Sequence, residues 1–228
     1  MNNEMMNNEM IVNYFGQNII MNFINEENDC AVNKAISRGR IWEPRIVKIY
    51  SELINKESII IDVGAHLGTH TIPFSIIGKQ VYSFEPQKRI FNLLEKTIKD
   101  NNISNVTLFN KVVSTTNNEE VDFINTETGR ASIWSYRPYL NGYHSREKTI
   151  MIDSLNLDKL DFLKIDAEKT EWLVLKGATE TILKCKPLIL LETFKNKTNL
   201  NKLSCFCGIY NYDSQYIACD NYLLTPKI

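Results

Sequence analysis

Cysteine is scarce in this chain and poorly placed for cross-linking. The five thiols, Cys30, Cys185, Cys205, Cys207 and Cys219, are odd in number and contain no C-x-x-C pair. That argues against a disulfide framework or a zinc clip and for a reduced, cytoplasmic protein with free thiols. Cys205 and Cys207 are expected on one face of a strand. Net charge is nearly absent, at −1, which leaves no general attraction to nucleic acid or to an anionic membrane surface. No apolar run approaches the ~18 residues of a membrane span. The first ten residues repeat Met-Asn-Asn-Glu-Met and lack the basic-then-apolar order of a signal peptide. They read as a disordered tail, or as sequence ahead of a start at Met10. Beyond them there is no internal repeat, and no linker divides the chain.

What is present suits one globular unit. Hydrophobic residues make up 43% of the 228 and charged residues 23%, the balance of a protein with a sizeable core. Residues 11–57 read as an N-terminal lobe: strand-rich over 12–24, then a helix over 42–54 with Pro44 in its first turn. Residues 58–228 read as the main domain. Strands are expected at 58–63, 80–84 and 106–110, with helices at 68–77 and 87–101 between them. Phe91, Leu94 and Ile98 carry the helical period of the second. This alternation implies a parallel sheet with helices on both faces. Further strands are expected at 120–124 and 149–153, flanking an aromatic loop insertion at 125–148. Then come a strand at 161–166, a helix at 171–183 and a strand at 188–192. Three short strand-like runs, 203–210, 215–219 and 222–224, close the chain in an antiparallel hairpin.

The most informative stretch runs from Ile59 to Gly68 and on to Glu85. A buried strand enters a glycine turn, Asp62-Val63-Gly64-Ala65-His66-Leu67-Gly68, that opens a helix. The next strand ends at Glu85-Pro86, ~20 residues past Gly64, where a carboxylate can accept bonds from both ribose hydroxyls. Gly64 has no Cβ, so the backbone can turn sharply and approach a ligand. The dinucleotide pattern G-x-G-x-x-G is incomplete, because His66 stands at its middle glycine. That spacing suits a nucleoside ligand without a pyrophosphate, such as S-adenosylmethionine (SAM).

Further motifs follow in order: Leu163-Lys164-Ile165-Asp166-Ala167-Glu168, Val174-Leu175-Lys176-Gly177-Ala178, Leu190-Leu191-Glu192 and Asn221-Tyr222-Leu223. With the glycine turn and Phe84-Glu85-Pro86, they resemble the FkbM-like family of SAM-dependent methyltransferases over about residues 40–226. The resemblance implies a Rossmann-like class I methyltransferase fold, with a mostly parallel seven-stranded sheet, and methyl transfer to a hydroxyl, often of a sugar. It implies that Asp62, Gly64, Ala65, His66 and Gly68 surround the methionine part of SAM, with Asp166 nearby. Glu85 would take the ribose. Pro86 and Gln87, with the turn Asn110, Lys111 and Val112, would flank the adenine. Two residues depart from the family pattern: Lys169 stands where glycine is usual, and His66 where asparagine is common.

Methyl transfer to an alcohol needs in-line positioning and removal of the hydroxyl proton. Asp166, Glu168 and Glu192 end strands that face the ligand crevice, and Asp166 is the first choice of base. His144 is the second, since it titrates near neutrality. Glu171 is expected to cap its helix. An acid cluster could also hold Mg²⁺, but no spacing specifies a metal. His66 and His70, four apart, lack a third zinc ligand. His66 is expected at the cofactor and His70 on a helix surface. Trp42 and Glu43 are expected to roof the cofactor. Arg130, Trp134, Tyr136, Arg137 and Tyr143 suit an acceptor lid, with aromatic faces for a sugar and arginines for a phosphate, as in a nucleotide-linked sugar. An interface between copies of the chain is the alternative use of that loop. A non-catalytic nucleoside-binding module is the rival function. An NAD-linked oxidoreductase is disfavoured by the missing middle glycine. A nucleic-acid adenine methyltransferase is disfavoured because Asp166-Ala167-Glu168-Lys169 replaces its Pro-Pro-aromatic motif.

Overall fold

The computed structural model describes residues 7–24, 31–125, 131–133 and 142–227. Strands β1 (Asn7–Tyr14) and β2 (Gln17–Ile24) form an antiparallel hairpin. Its turn is Phe15-Gly16, and both residues are left-handed, as the twist of a two-residue hairpin requires. Helices α1 (Ala31–Ile36) and α2 (Pro44–Leu53) follow. The core then alternates β3 (Ile59–Val63), α3 (Thr71–Ile77), β4 (Gln80–Phe84), α4 (Lys88–Asp100) and β5 (Val106–Phe109). Short strands β6 (Val112–Val113), β7 (Glu120–Asn125), β8 (Ala131–Ile133) and β9 (Tyr143–Ile150) make a second sheet. The chain returns through β10 (Phe162–Ile165), α5 (Glu171–Lys176), α6 (Thr179–Cys185), β11 (Leu188–Glu192), α7 (Lys197–Tyr210), β12 (Tyr212–Ala218) and β13 (Asn221–Pro226).

The main sheet has seven strands in the order β12-β13-β11-β10-β3-β4-β5. Strands β3, β4, β5, β10 and β11 are parallel, and the β12–β13 hairpin adds antiparallel to β11. This is the expected fold class, with helices on both faces. Strand alternation sorts the two cores. Ile61, Val63, Leu163 and Ile165 pack towards α5, α6 and α7. Ile60, Phe162 and Leu190 pack against Ile46, Val47 and Tyr50 of α2 and Phe74 of α3. The chain leaves β3 towards β4 on one side and later returns to β10 on the other. The switch between β3 and β10 opens a crevice at the carboxyl ends of the strands. Among the described residues no helix is long and apolar enough to cross a membrane.

Several expectations change. Residues 7–10, read as part of a tail, pair with Met21–Ile24 in β1. The hairpin they complete is covered by α4, where Thr97, Asp100 and Asn101 bond to Ile20 and Asn22. Residues 203–210 are helical, not a strand. The Asn196 side chain caps α7 by accepting the Asn199 N–H, and Leu203 and Phe206, three apart, share the buried face. Cys205 and Cys207 therefore do not share a strand face. The helix expected over 171–183 breaks at Gly177, where an added Cβ would stand 2.0 Å from the Ser114 carbonyl oxygen. The strand expected at 149–153 lies earlier, as β9, which pairs along β7 from Tyr143 on. That takes residues 143–148 out of the expected loop.

Gly64 fixes the crevice. It is left-handed at φ +81, and a Cβ there would lie 1.8 Å from the Asp166 carbonyl oxygen. Gly64→Ala is expected to destabilise the fold by at least about 2 kcal/mol, from left-handed strain plus overlap with an immovable backbone. A lowered urea midpoint at unchanged slope would show this.

Candidate active site

The crevice is a cleft of about 300 Å³. Gly64, Ala65 and His66 form its floor. Glu85 and Pro86, from the end of β4, and Lys111 with Val112 form one end. Asp166, Glu168 and Glu192, from the ends of β10 and β11, form the other. Trp42 and Glu43, expected as a roof, also line it, as do Val113, Phe123 and Thr170.

The Glu85 carboxylate is 6% exposed. Its Oε2 accepts the His66 N–H at 2.9 Å and its Oε1 accepts the Gln87 N–H at 2.8 Å. Burial pushes its pKa up from 4.5 to about 7, against the pull of those two bonds. Each oxygen keeps a lone pair for a further donor. The Asn110 side chain braces the loop by donating to the Glu85 and Pro86 carbonyls, at 2.9 and 2.7 Å.

The opposite end is organised by a lysine whose role the sequence reading missed. Lys164 is 2% exposed. Its Nζ lies 3.5 Å from Asp166 Oδ2 and 3.9 Å from Asp62 Oδ1. Burial lowers its pKa, but Asp166, Asp62, Glu192 and Glu43 outweigh that and hold it above the ordinary value. It therefore stays an ammonium. Glu192 hydrogen-bonds Asp166, and burial followed by the Asp166 charge raises the Glu192 pKa. Glu192 thus tends to carry a proton, next to the Lys164–Asp166 ion pair. A charge inside the apolar run Phe162–Ile165, two residues before Asp166 and so on the same strand face, was the signal for Lys164.

Asp62 does not line the cleft. It is fully buried beneath Lys164, and its Oδ2 accepts the Thr71 hydroxyl at 2.6 Å. Gly68 lies against Leu94 of α4, and Gln87 and Asn110 support the cleft from behind. His144 and Tyr143 stand exposed on β9, away from the cleft wall. His144 is therefore not placed as a base. Cys30, Arg130, Trp134, Tyr136 and Arg137 lie outside the described residues. Among the described residues, no three His, Cys, Asp or Glu converge as metal ligands would.

His70, expected on a helix surface, is buried at the start of α3. It joins the Tyr50 hydroxyl at 3.3 Å to Glu43 Oε2 at 3.2 Å. Burial raises the Tyr50 pKa, so Tyr50 keeps its proton and donates to Nδ1. Nε2–H then donates to Glu43, the tautomer this network assigns. His66 is neutral near pH 7, because burial lowers its pKa to about 4 although Asp166 pulls it up. It sits at φ +48, a left-handed position that asparagine tolerates well. Lys169 is also left-handed, at φ +80, which explains glycine as the usual residue there. Glu171 Oε1 accepts the Lys169 N–H at 2.8 Å, so it braces the turn ahead of α5, whose N-cap residue Thr170 makes no side-chain cap bond.

The family model for the methyltransferase FkbM domain matches residues 62–217. No curated protein matches the chain. A methyltransferase FkbM from Methylobacillus flagellatus KT is 19% identical, with a TM-score of 0.57, covering 77% of this chain and 47% of that one. The chain thus spans about half the length of that structure. Precorrin-6y C5,15-methyltransferase from Geobacter metallireducens GS-15 is 12% identical over 88% of this chain and 94% of that one, with a TM-score of 0.48. TYW2 from M. jannaschii, in complex with AdoMet, is 14% identical over 95% and 83%, with a TM-score of 0.46. The likeness to the Methylobacillus protein, at 19% identity, is one of fold.

Two outcomes follow from the strained and buried groups. Lys169→Gly is expected to stabilise the protein by about 0.5–1 kcal/mol, left-handed relief partly offset by chain entropy, seen as a raised Tm. Glu85 has a raised folded-state pKa, so its contribution to stability is complete below its ordinary value of 4.5 and is lost as pH rises through about 7. The ligand-free protein should lose up to about 3 kcal/mol across that window. Glu85→Gln, which mimics the protonated acid, should flatten the loss in urea titrations.

Proposed function

This chain belongs to the FkbM methyltransferase family, and on that premise we propose that it is a SAM-dependent O-methyltransferase acting on a hydroxyl of a small acceptor, a sugar. The observation that carries the reading is the pairing of two ends in one cleft: a buried ribose-type carboxylate at Glu85, and an Asp166–Glu192 pair across the Gly64 turn.

The residues fit the cofactor. Glu85 has acceptor capacity left for two ribose hydroxyls. Pro86, Lys111 and Val112 flank the space beyond it, where an adenine would lie. The left-handed turn at Gly64 brings backbone within reach of a methionine tail. Five carboxyl groups, Glu43, Glu85, Asp166, Glu168 and Glu192, line the cleft against Lys111 and Lys164, an acidic surround that suits a cationic ligand. Bound there, SAM supplies an electrophilic methyl group on a sulfonium.

The chain's own residues would then handle the acceptor proton. Asp166, at the cleft beside Lys164, is the group in position to receive it. Glu192, holding its own proton, steadies Asp166 by donating to it. Glu168 borders the same space. Positioning of acceptor and donor supplies much of the rate, and a base contributes typically 10²–10⁴-fold. Lys169 adopts the left-handed backbone of the usual glycine, so that departure leaves the turn intact and favours an active enzyme over a non-catalytic module.

Calorimetry with S-adenosylhomocysteine (SAH) tests the cofactor half. Ribose donors favour the ionised form of Glu85, so binding near pH 6.5 should release a proton, seen as a heat that varies with the buffer's ionisation enthalpy. Absence of binding at millimolar SAH to folded protein would contradict the reading. With labelled SAM and a glycan extract, the wild type should transfer label, and Asp166→Asn should transfer it about 10²–10⁴-fold more slowly.

A further inference from the structure

A hydrogen-bonded chain runs from the core to the cleft through Tyr50, His70 and Glu43. Tyr50 is buried and packs on Phe74 and Phe162, with ring centroids 4.5 and 6.2 Å away. His70 is buried too, and both its ring nitrogens are engaged, one by the Tyr50 hydroxyl and one by Glu43 Oε2. Glu43 ends the chain at the cleft wall, with its side chain 12% exposed. It is left-handed at φ +45 in the N-cap position of α2, yet its side chain makes no cap bond to that helix. The residue thus gives up the usual cap, accepts local strain, and turns its carboxylate to His70 instead. Among the described residues, no lysine or arginine pairs with Glu43, and its Oε1 has no hydrogen-bond partner. Lys164 makes its close contacts with Asp62 and Asp166. The charge of Glu43 still reaches Lys164 and Glu192, so it belongs to the reactive end of the cleft.

We propose that Glu43 binds the α-ammonium of SAM, and that His70 and Tyr50 are positioning residues that aim its carboxylate. The inference rests on the cofactor reading of this cleft. A nearly buried carboxylate calls for a cationic partner, and the chain gives Glu43 only a neutral imidazole N–H. The groups of the cofactor sort themselves by chemistry. Its carboxylate would be repelled. Its sulfonium carries charge but no N–H. Its ribose hydroxyls belong at Glu85, with the adenine beyond them. Only the α-ammonium brings both a positive charge and N–H donors for Oε1. The path fits as well. The tail runs over the turn that Gly64 opens, and that turn continues to Thr69 and His70, both at the cleft wall. Glu43, tied to His70, is thereby held at the far end of that path. Tyr50 donates to Nδ1, which keeps the imidazole proton on Nε2, facing Glu43. Without that hydroxyl the ring is free to take its other tautomer, and Glu43 loses its anchor.

The test is calorimetry on the full chain with three probes. These are SAH, an SAH analogue with hydrogen in place of the α-amine, and 5′-methylthioadenosine, which lacks the amino-acid tail. The wild type should bind SAH about tenfold or more tightly than the deaminated analogue, the scale of a charge-assisted hydrogen bond. Glu43→Gln should abolish that preference by weakening SAH alone, with methylthioadenosine unchanged and the analogue no weaker. Tyr50→Phe should reduce the preference several-fold with methylthioadenosine binding kept, whereas merely structural damage would weaken all three probes alike. His70→Gln, whose amide N–H can donate as Nε2 does, should keep more of the preference than His70→Leu. Equal binding of SAH and the analogue by the wild type, or a preference that survives Glu43→Gln, would overturn the proposal and leave the cofactor reading standing. So would a Glu43→Gln protein that loses methyl transfer at normal SAH affinity, which would place Glu43 at the acceptor. If the folded wild type binds neither SAH nor methylthioadenosine at millimolar concentration, the cofactor reading itself falls, and this proposal with it.

Discussion

One buried ammonium organises the reactive end of this molecule. Lys164 sits in the centre of the sheet between Asp62 and Asp166, almost without solvent. Removing such a charge from water is expensive, and only close countercharges make it tolerable. Asp62 is held beneath it by Thr71, and Asp166 lies above it at the cleft. The lysine therefore neutralises a strand-end cluster of carboxylates that would otherwise repel one another. Burial, followed by the charge of Asp166, raises the pKa of Glu192, which the cation only partly offsets.

The two turns that floor the cleft depend on backbone conformation more than on charge. Gly64, His66, Glu168 and Lys169 are all left-handed, and all lie in the two turns that meet at the cleft. Three of these four are not glycine, so strain is concentrated where the site is built. The reward is geometric: the His66 N–H points at Glu85, and the Lys169 N–H is held by Glu171. The residues in which this chain departs from its family, His66 and Lys169, both fall on left-handed positions. They change the strain of the turns and leave their course intact.

Much of this was legible in the residues. The β3 turn, Glu85 at the end of β4, and the two acid-ended late strands declare themselves through short apolar runs that stop at a carboxylate. Those features depend on local sequence and two-residue alternation, which survive in any tertiary context. Lys164 carried the same alternation signal, but a lysine in a buried run makes sense only once Asp62 is known to lie beside it across β3 and β10. The reading failed where partners distant in sequence decide. Residues 7–10 are ordered by pairing with β2, which α4 covers. Residues 203–210 have strand-like composition, yet the Asn196 cap and the Leu203–Phe206 face make them helical. His144 looked catalytic by its titration range alone, and its strand carries it away from the cleft.

The most direct measurement is a crystal structure of the chain with SAH bound. The account predicts ribose hydroxyls on both Glu85 oxygens, the amino-acid tail over Gly64, and the sulfur facing Asp166 with Lys164 still beneath it. A nucleoside bound elsewhere, or one in this cleft with Glu85 unengaged and the sulfur turned away from Asp166, would contradict it.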